Sequence, residues 1–354
     1  MTDRVPARGS RHYGDEMAPE TGLTVAVTGP TGTFGLALMP LLQADDQVGR
    51  VIGIARRPFD PAARDWTKME YREGDVRDPA ALATAFEGAD VVVHLAFLIV
   101  GGGKEVTRAI NVEGTLNVFR AAAEAGATRF VYASSIAAYG FHRDNPIGME
   151  EDWPVRPADR LFYAQEKAEL EHLLTEEGEA HPELATYLLR PPIVLGPDAV
   201  GAKVAVPAAL EPLVRGLVAG WKRLPALPTA APDLPIQLIH QDDVAEALRL
   251  CVVGAGPPGA YNIAADDVVT GVDIARELGF RPVRVPGRPV AAAARAAARF
   301  PFLPQQAQWV EAFSHPAVMD TTKARTELGW TPRHTALDCL RATLAGGRGQ
   351  SSRS

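Results

Sequence analysis

Tyr163 and Lys167 stand four residues apart in "YAQEK", a spacing that puts both on one face of a helix. A tyrosine at its ordinary pKa of about 10 is a poor base at neutral pH. An ammonium beside it favours the phenolate and lowers that value. Such a pair moves a proton to or from a substrate oxygen while a hydride moves at carbon. Taken alone, a Tyr-x-x-x-Lys pair is ordinary surface composition. Ser135 adds a third member. It ends "FVYASS" (130–135), which reads as a strand, and open α/β sheets bind ligands at the carboxyl edge of their strands. Its hydroxyl is suited to bonding the reacting oxygen; the plainer alternative is a turn cap.

A second cluster serves a nucleotide. "VTGPTGTFG" (27–35) sets Gly29, Gly32 and Gly35 at GxxGxxG spacing between a strand and a helix. A tight turn needs a residue without Cβ, and a diphosphate needs close backbone approach. The helix N-terminus supplies N–H groups and partial positive charge. Gly29, Thr31, Gly32, Thr33, Phe34 and Gly35 are the expected contacts. The end of the second strand reports the cofactor type, because NAD enzymes place an acid there, about 20 residues on, for the ribose hydroxyls. Here Ala55 is followed by Arg56 and Arg57, with no carboxylate until Asp60. Two guanidiniums suit a 2′-phosphate, so the expected cofactor is NADP, with NAD as the alternative. In "GDVRD" (74–78) Asp75 either accepts from an adenine amino group, with Val76 packed on the ring, or caps the next helix.

These residues need a scaffold, and the chain alternates strands with helices. Strands are expected at 23–29, 51–55, within 68–75, at 90–96, 130–135 and 185–190. Helices are expected at about 33–43, from Asp78-Pro79, at 105–126 and at 161–178. This rhythm predicts an α/β fold, a Rossmann-type doubly wound parallel sheet. After Arg190 prolines crowd 191–235, a helix opens at Asp242 or Asp243, a strand lies near 260–263, and 289–300 is helical. The expected organisation is a disordered tail at 1–21 and a dinucleotide-binding domain at 22–190. A smaller, mainly substrate-binding lobe follows at 191–342, some of whose segments return to the core, and then a flexible tail at 343–354.

Composition excludes other classes. Net charge is −7, with 36 Lys plus Arg against 43 Asp plus Glu, so a nucleic-acid surface lacks its clustered positive charge. The longest apolar run, Val91 to Val100, is broken by His94 and is too short to span a bilayer. Cys251 and Cys339 form no CxxC pair, so no metal site is expected. Two reduced cysteines and no signal sequence point to a cytoplasmic protein.

The chain resembles the extended short-chain dehydrogenase/reductase family, its NAD-dependent epimerase/dehydratase group, from Thr24 to about Pro332. The resemblance rests on the glycine loop, "GDVRD", "VVHLA" (92–96), "NVEGTLNV" (111–118), "FVYASSIAAYG" (130–140), "YAQEK", "RPPIVLGP" (190–197), "HQDDVAEAL" (240–248), "YNIA" (261–264) and "LGWTP" (328–332). It implies Ser135, Tyr163 and Lys167 as the catalytic trio. It also implies a nicotinamide cofactor on the glycine loop, Asp75, Val76, Leu95, Ala96, Tyr163 and Lys167, with Pro191 and Ile193 near the nicotinamide. It gives Asn111 either a proton-relay water or a structural hydrogen bond. A homodimer through the helices at 105–126 and 161–178 is possible by analogy, their exposed faces including Ala121, Ala122 and Ala125.

Two departures bear on the reaction. Family dehydratases follow the serine or threonine with Asp-Glu; here Ile136 and Ala137 follow Ser135. Sugar-nucleotide epimerases usually place an asparagine where this chain has Ile193. Residues 199–238 are apolar, with few basic residues (Lys203, Arg215, Lys222 and Arg223), and Phe97, Leu98 and Ile99 lie near the expected substrate edge. Phe97, Ser135, Ile136 and Tyr163 are therefore the expected substrate contacts. His94, His240 and Asp243 read as structural, while His142 is a weaker candidate for substrate. The favoured activity is an NADP-dependent ketone or aldehyde reductase, or secondary-alcohol dehydrogenase, on a largely apolar small molecule. A nucleotide-sugar epimerase and a non-catalytic NADP-binding sensor are the alternatives.

Overall fold

Seven short runs, most of them apolar, become seven strands of one sheet in a computed structural model. Described are residues 22–99, 103–199, 228–298, 309, 311–312 and 315–350; the expected tail at 1–21 and the basic residues from Lys203 to Arg223 lie outside them. The strands are β1 (Leu23–Thr28), β2 (Val48–Ala55), β3 (Met69–Glu73), β4 (Val91–His94), β5 (Arg129–Ala133), β6 (Ala185–Arg190) and β7 (Gly259–Asn262). Their spatial order is 3-2-1-4-5-6-7, and every neighbouring pair is parallel. This is the doubly wound arrangement, with its crevice at the switch between β1 and β4.

Strand periodicity divides the core into two layers. Val25, Val27, Val91, Val93 and Val131 pack with Leu38, Met39 and Leu42 on one face. Ala26, Val92, Phe130 and Tyr132 pack with Phe86, Phe119 and Leu170 on the other. Both faces are covered, so the strands read as nearly continuous apolar runs.

The helices are α1 (Thr33–Ala44), α2 (Pro79–Ala85), α3 (Gly103–Arg108), α4 (Gly114–Glu124) and α5 (Phe162–Ala180). The stretch expected as one helix over 105–126 is interrupted by a π turn at Ala109–Glu113. Ala121 and Ala122, expected on an exposed face, are buried against the sheet with Phe119 and Phe130, so they are not available to a second copy. Asp78, not Asp75, caps α2 by accepting from Ala80 N and Ala81 N at 3.1 and 3.2 Å, with Pro79 in the first turn.

Short ladders make up the second lobe. Ile193–Leu195 pairs with Leu238–His240, Pro228–Asp233 with Arg281–Pro286, and Ile147–Met149 with Val318–Met319. The last pair draws residues before Arg190 into that lobe. The helix Gln241–Val253 is capped by neither aspartate: His240 Nδ1 accepts from Asp242 N at 3.2 Å. Asp243 is already inside the first turn and faces inward, where its carboxylate accepts from Arg333 N and His334 N at 3.0 and 3.2 Å. The final helix, Ala336–Gln350, runs through much of the expected flexible tail. Packing overrides its glycines: Gly196 N donates to Thr343 Oγ1 at 2.8 Å, and a Cβ on Gly346 would lie 2.6 Å from Pro197 Cα.

Candidate functional site

The carboxyl ends of β1, β4, β5 and β6 open onto two cavities that share a wall. The first, of about 240 Å³, is lined by Gly29, Gly32, Thr33, Phe34, Gly35, Leu95, Phe97, Lys167 and Pro191, among others. The second, of about 420 Å³, is lined chiefly by Ile136, Phe141, Ile193, Leu234, Ile236 and Trp309. Ser135 and Tyr163 belong to both.

The glycine loop is built for close approach. Gly29 has φ +73°, and a Cβ there would lie 3.0 Å from Ala96 N. A Cβ on Gly35 would lie 2.3 Å from Pro30 O, so only glycine lets α1 start this close to the turn. Gly32 is exposed, and a Cβ on it would meet only Gly29 O, at 3.4 Å. The side chain thus missing at Gly32 leaves the backbone open toward the cavity, beside an α1 N-terminus that has no side-chain cap. A dinucleotide phosphate fits this cradle.

The outer nucleotide residues sit apart from that cavity. Arg56 and Arg57 are exposed beyond β2. Asp75 is held by Arg77: its carboxylate accepts from Arg77 N at 3.0 Å and from the guanidinium at 2.7 Å. That guanidinium keeps the Asp75 carboxyl below its usual range, and Arg56 pulls the same way. Val76 is buried against Gly114. Thr31 is exposed and off the cavity wall, and Ala96 lies behind Gly29. Ile193, expected beside the nicotinamide, lines the second cavity because its strand turns outward to pair with Leu238–His240. Phe97, expected to touch substrate, lines the first.

Tyr163 and Lys167 both project from the first turns of α5, as their spacing demanded. The Ser135 hydroxyl stands beside the Tyr163 phenol on the wall the two cavities share and accepts from Ala137 N at 3.2 Å. The Lys167 ammonium donates to Tyr132 OH and Ala133 O, each at 2.8 Å, and lies 3.7 Å from the Phe97 ring centroid. Tyr163 is raised above its ordinary pKa, because burial outweighs the opposing bond from Ser135. The lowering expected from Lys167 is not the outcome, since its ammonium is turned toward Tyr132.

Buried polar groups brace this wall. Asn111 Nδ2 donates to Leu98 O (2.9 Å) and Glu166 Oε2 (2.8 Å), and its Oδ1 accepts from Leu98 N (2.7 Å). Of the two roles left open for Asn111, the side chain serves the structural one. Arg190 and Glu171 form a buried pair; Ser134 donates to Glu171, and Arg190 to Tyr139 OH. His94 bridges Thr28 and Thr115 at 2.7 and 2.9 Å. Burial, with the Lys167 charge acting in the same direction, pushes His94 down to about 3. His142 folds under Gly140, whose Cβ would fall 2.4 Å from its Nε2, and does not line either cavity. Trp309 and Glu311 escaped the sequence reading; they stand about 150 residues beyond the motifs with no signal of their own.

A model of the NAD dependent epimerase/dehydratase family matches residues 25–264, more than half the chain. An uncharacterized protein of Mycobacterium tuberculosis, Rv0501, is 27% identical over 329 residues, covering 91% of this chain and 83% of that protein. "Sterol demethylase protein B" of Methylococcus capsulatus is 33% identical over 179 residues, 49% of this chain and 52% of that one. Among solved structures, gox2253 has a TM-score of 0.69 at 25% identity, covering 92% and 98% of the two chains. The Bacillus cereus UDP-N-acetylglucosamine 4-epimerase has 0.66 at 20%, covering 93% and 97%. The Bordetella bronchiseptica enzyme WbmG in complex with NAD has 0.66 at 20%, covering 94% and 96%.

Proposed function

Because the chain belongs to the NAD-dependent epimerase/dehydratase family, we propose that it is an NADP-dependent oxidoreductase interconverting a carbonyl and an alcohol in a largely apolar small molecule. The observation that carries this reading is the second cavity. Its wall beside Tyr163 is chiefly aliphatic and aromatic, with Ser135, Gln237 and His315 as polar members, and among the described residues it contains no lysine or arginine. A substrate diphosphate would favour paired cationic donors. The sterol chemistry in the name of the Methylococcus relative agrees with an apolar substrate.

A bound nicotinamide supplies hydride exchange at the substrate carbon. In the reductive direction Tyr163, kept a neutral phenol by burial, donates its proton to the substrate oxygen. Ser135 polarises that oxygen through its hydroxyl. Lys167 borders the first cavity and would help hold the ribose of a bound nucleotide there. Arg56 and Arg57 would hold a 2′-phosphate.

A nucleotide-sugar epimerase is the second reading, and the likeness to the Bacillus cereus UDP-N-acetylglucosamine 4-epimerase favours it. Incubating the protein with NADPH and a panel of apolar ketones separates the two. Cofactor oxidation is expected, falling about 10²–10⁴-fold in Tyr163→Phe. Unchanged turnover in that variant removes Tyr163 from the chemistry. Inversion of a UDP-sugar without net cofactor consumption moves the assignment to the epimerase. Equal affinity for NADH and NADPH would defeat the role given to Arg56 and Arg57.

A further inference from the structure

Trp309 lines the second cavity, and its ring lies 5.3 Å from the Tyr163 ring at 32°. Phe97 meets the same phenol ring edge-on at 5.7 Å. Two residues after Trp309, Glu311 is buried. Its Oε1 accepts from Asp159 N at 2.8 Å, and its Oε2 accepts from Arg160 N and Leu161 N at 2.9 and 2.7 Å. These amides lead into α5, whose own N-cap residue, Leu161, has no side-chain cap to offer. A carboxylate from far down the chain therefore fixes the turn just before α5, taking the N–H of its N-cap residue and of the two residues before it, and it sits where the helix dipole favours negative charge. The same bonds tie the segment bearing Trp309 to the turn that presents Tyr163.

We propose that Trp309 is a specificity-determining wall of the substrate cavity and that Glu311 is a positioning residue that seats it over Tyr163. This rests on reading the second cavity as the substrate site. Trp309 roofs the phenol that serves the reacting oxygen, so the indole supplies the apolar contact for a large group lying beside that oxygen. Glu311 acts through Trp309 and touches no substrate.

The test compares oxidation of 2-propanol and decahydro-2-naphthol, with NADP and with NAD, by the full chain and its variants. Trp309→Ala should cut kcat/KM for the bicyclic alcohol about tenfold or more relative to 2-propanol, mostly through KM, and Trp309→Phe should restore part of it. Glu311→Gln turns one acceptor oxygen into an NH2 group, leaving at least one of the three N–H donors without its partner, so it should give a smaller loss with the same size dependence. Equal losses on both alcohols, or none, would overturn the proposal. Two further measurements need no turnover. Nitration of Tyr163 by tetranitromethane should be slow in the unaltered chain and at least tenfold faster in Trp309→Ala. Amide exchange at Asp159, Arg160 and Leu161 should accelerate in Glu311→Gln, or in Glu311→Asp should the first variant not fold. If neither alcohol is oxidised by the unaltered chain, the reading of the cavity falls, while nitration and exchange still decide whether Trp309 covers Tyr163 and Glu311 holds the helix. Unchanged nitration and exchange would refute that arrangement outright.

Discussion

The two cavities meet at Ser135 and Tyr163 but are built by opposite means. The walls of the first are mostly strand ends and the turns that follow them: Gly29 after β1, Leu95 after β4, Ala133 at the end of β5 and Pro191 after β6. Sheet register fixes these positions, because parallel neighbours end together. The second takes much of its wall from short pieces: 234–237, Trp309 and Ala312, and 315–317. These are fastened by individual bonds, such as Gln237 to the Met319 backbone at 2.8 and 2.9 Å and Glu311 to the start of α5. One wall inherits its geometry from the sheet, and the other depends on a few polar contacts. Substrate choice can therefore change by altering those pieces while the nucleotide cradle stays intact.

The contrast sharpens at the seam. Arg190 and Glu171 stand behind the shared wall, buried and paired, Arg190 leading into Pro191 and Pro192 of the cavity lining and Glu171 accepting from Ser134. Arg190→Met leaves a buried carboxylate uncompensated and should cost about 3–5 kcal/mol in chemical denaturation, while impairing both nucleotide and substrate binding. Loss of only one would break the picture of a shared seam. Gly35→Ala should damage the first wall alone: the added methyl overlaps Pro30 O, costing about 1–3 kcal/mol and weakening nucleotide binding in a titration. Ile193→Asn should act on the second wall alone, lowering kcat/KM for an apolar ketone about tenfold with nucleotide affinity unchanged. A fall in nucleotide affinity would return Ile193 to the cofactor side.

A different kind of effect, on stability against pH, concerns His94, which ends β4 just before Leu95 of the first wall. Its folded pKa lies near 3 against an ordinary value of 6.5, so the unfolded chain binds the extra proton first as pH falls. Stability should be full above about 6.5 and decline toward 3. His94→Gln should flatten the thermal-unfolding midpoint across that range; an unaltered slope would assign the acid sensitivity elsewhere.

The sheet was legible because most of its strands are short, nearly continuous apolar runs ended by glycine or by helix caps, all local signals. The juxtaposition of Ser135, Tyr163 and Lys167 was legible because strand ends and helix spacing dictate it. Three features depended on tertiary contacts that spacing does not encode. His240 rather than an aspartate caps its helix, because Asp243 is taken by the backbone of residues 333–334. Ala121 and Ala122 face the sheet, though an alanine run gives little directional signal. Trp309 reaches Tyr163 through a bond pattern whose partners are about 150 residues apart.

The π turn at Ala109–Glu113 gives the chain an unusual tolerance and an unusual weakness. It inserts the equivalent of one residue into an otherwise regular helix, about 100° of rotation. Deleting one residue there would let the hydrogen-bond ladder close as an ordinary α-helix, so the rod itself would survive. The deletion would also turn everything on its N-terminal side relative to α4, and Asn111 would leave Leu98 and Glu166. A single codon can thus separate keeping this helix from keeping the pocket wall it braces.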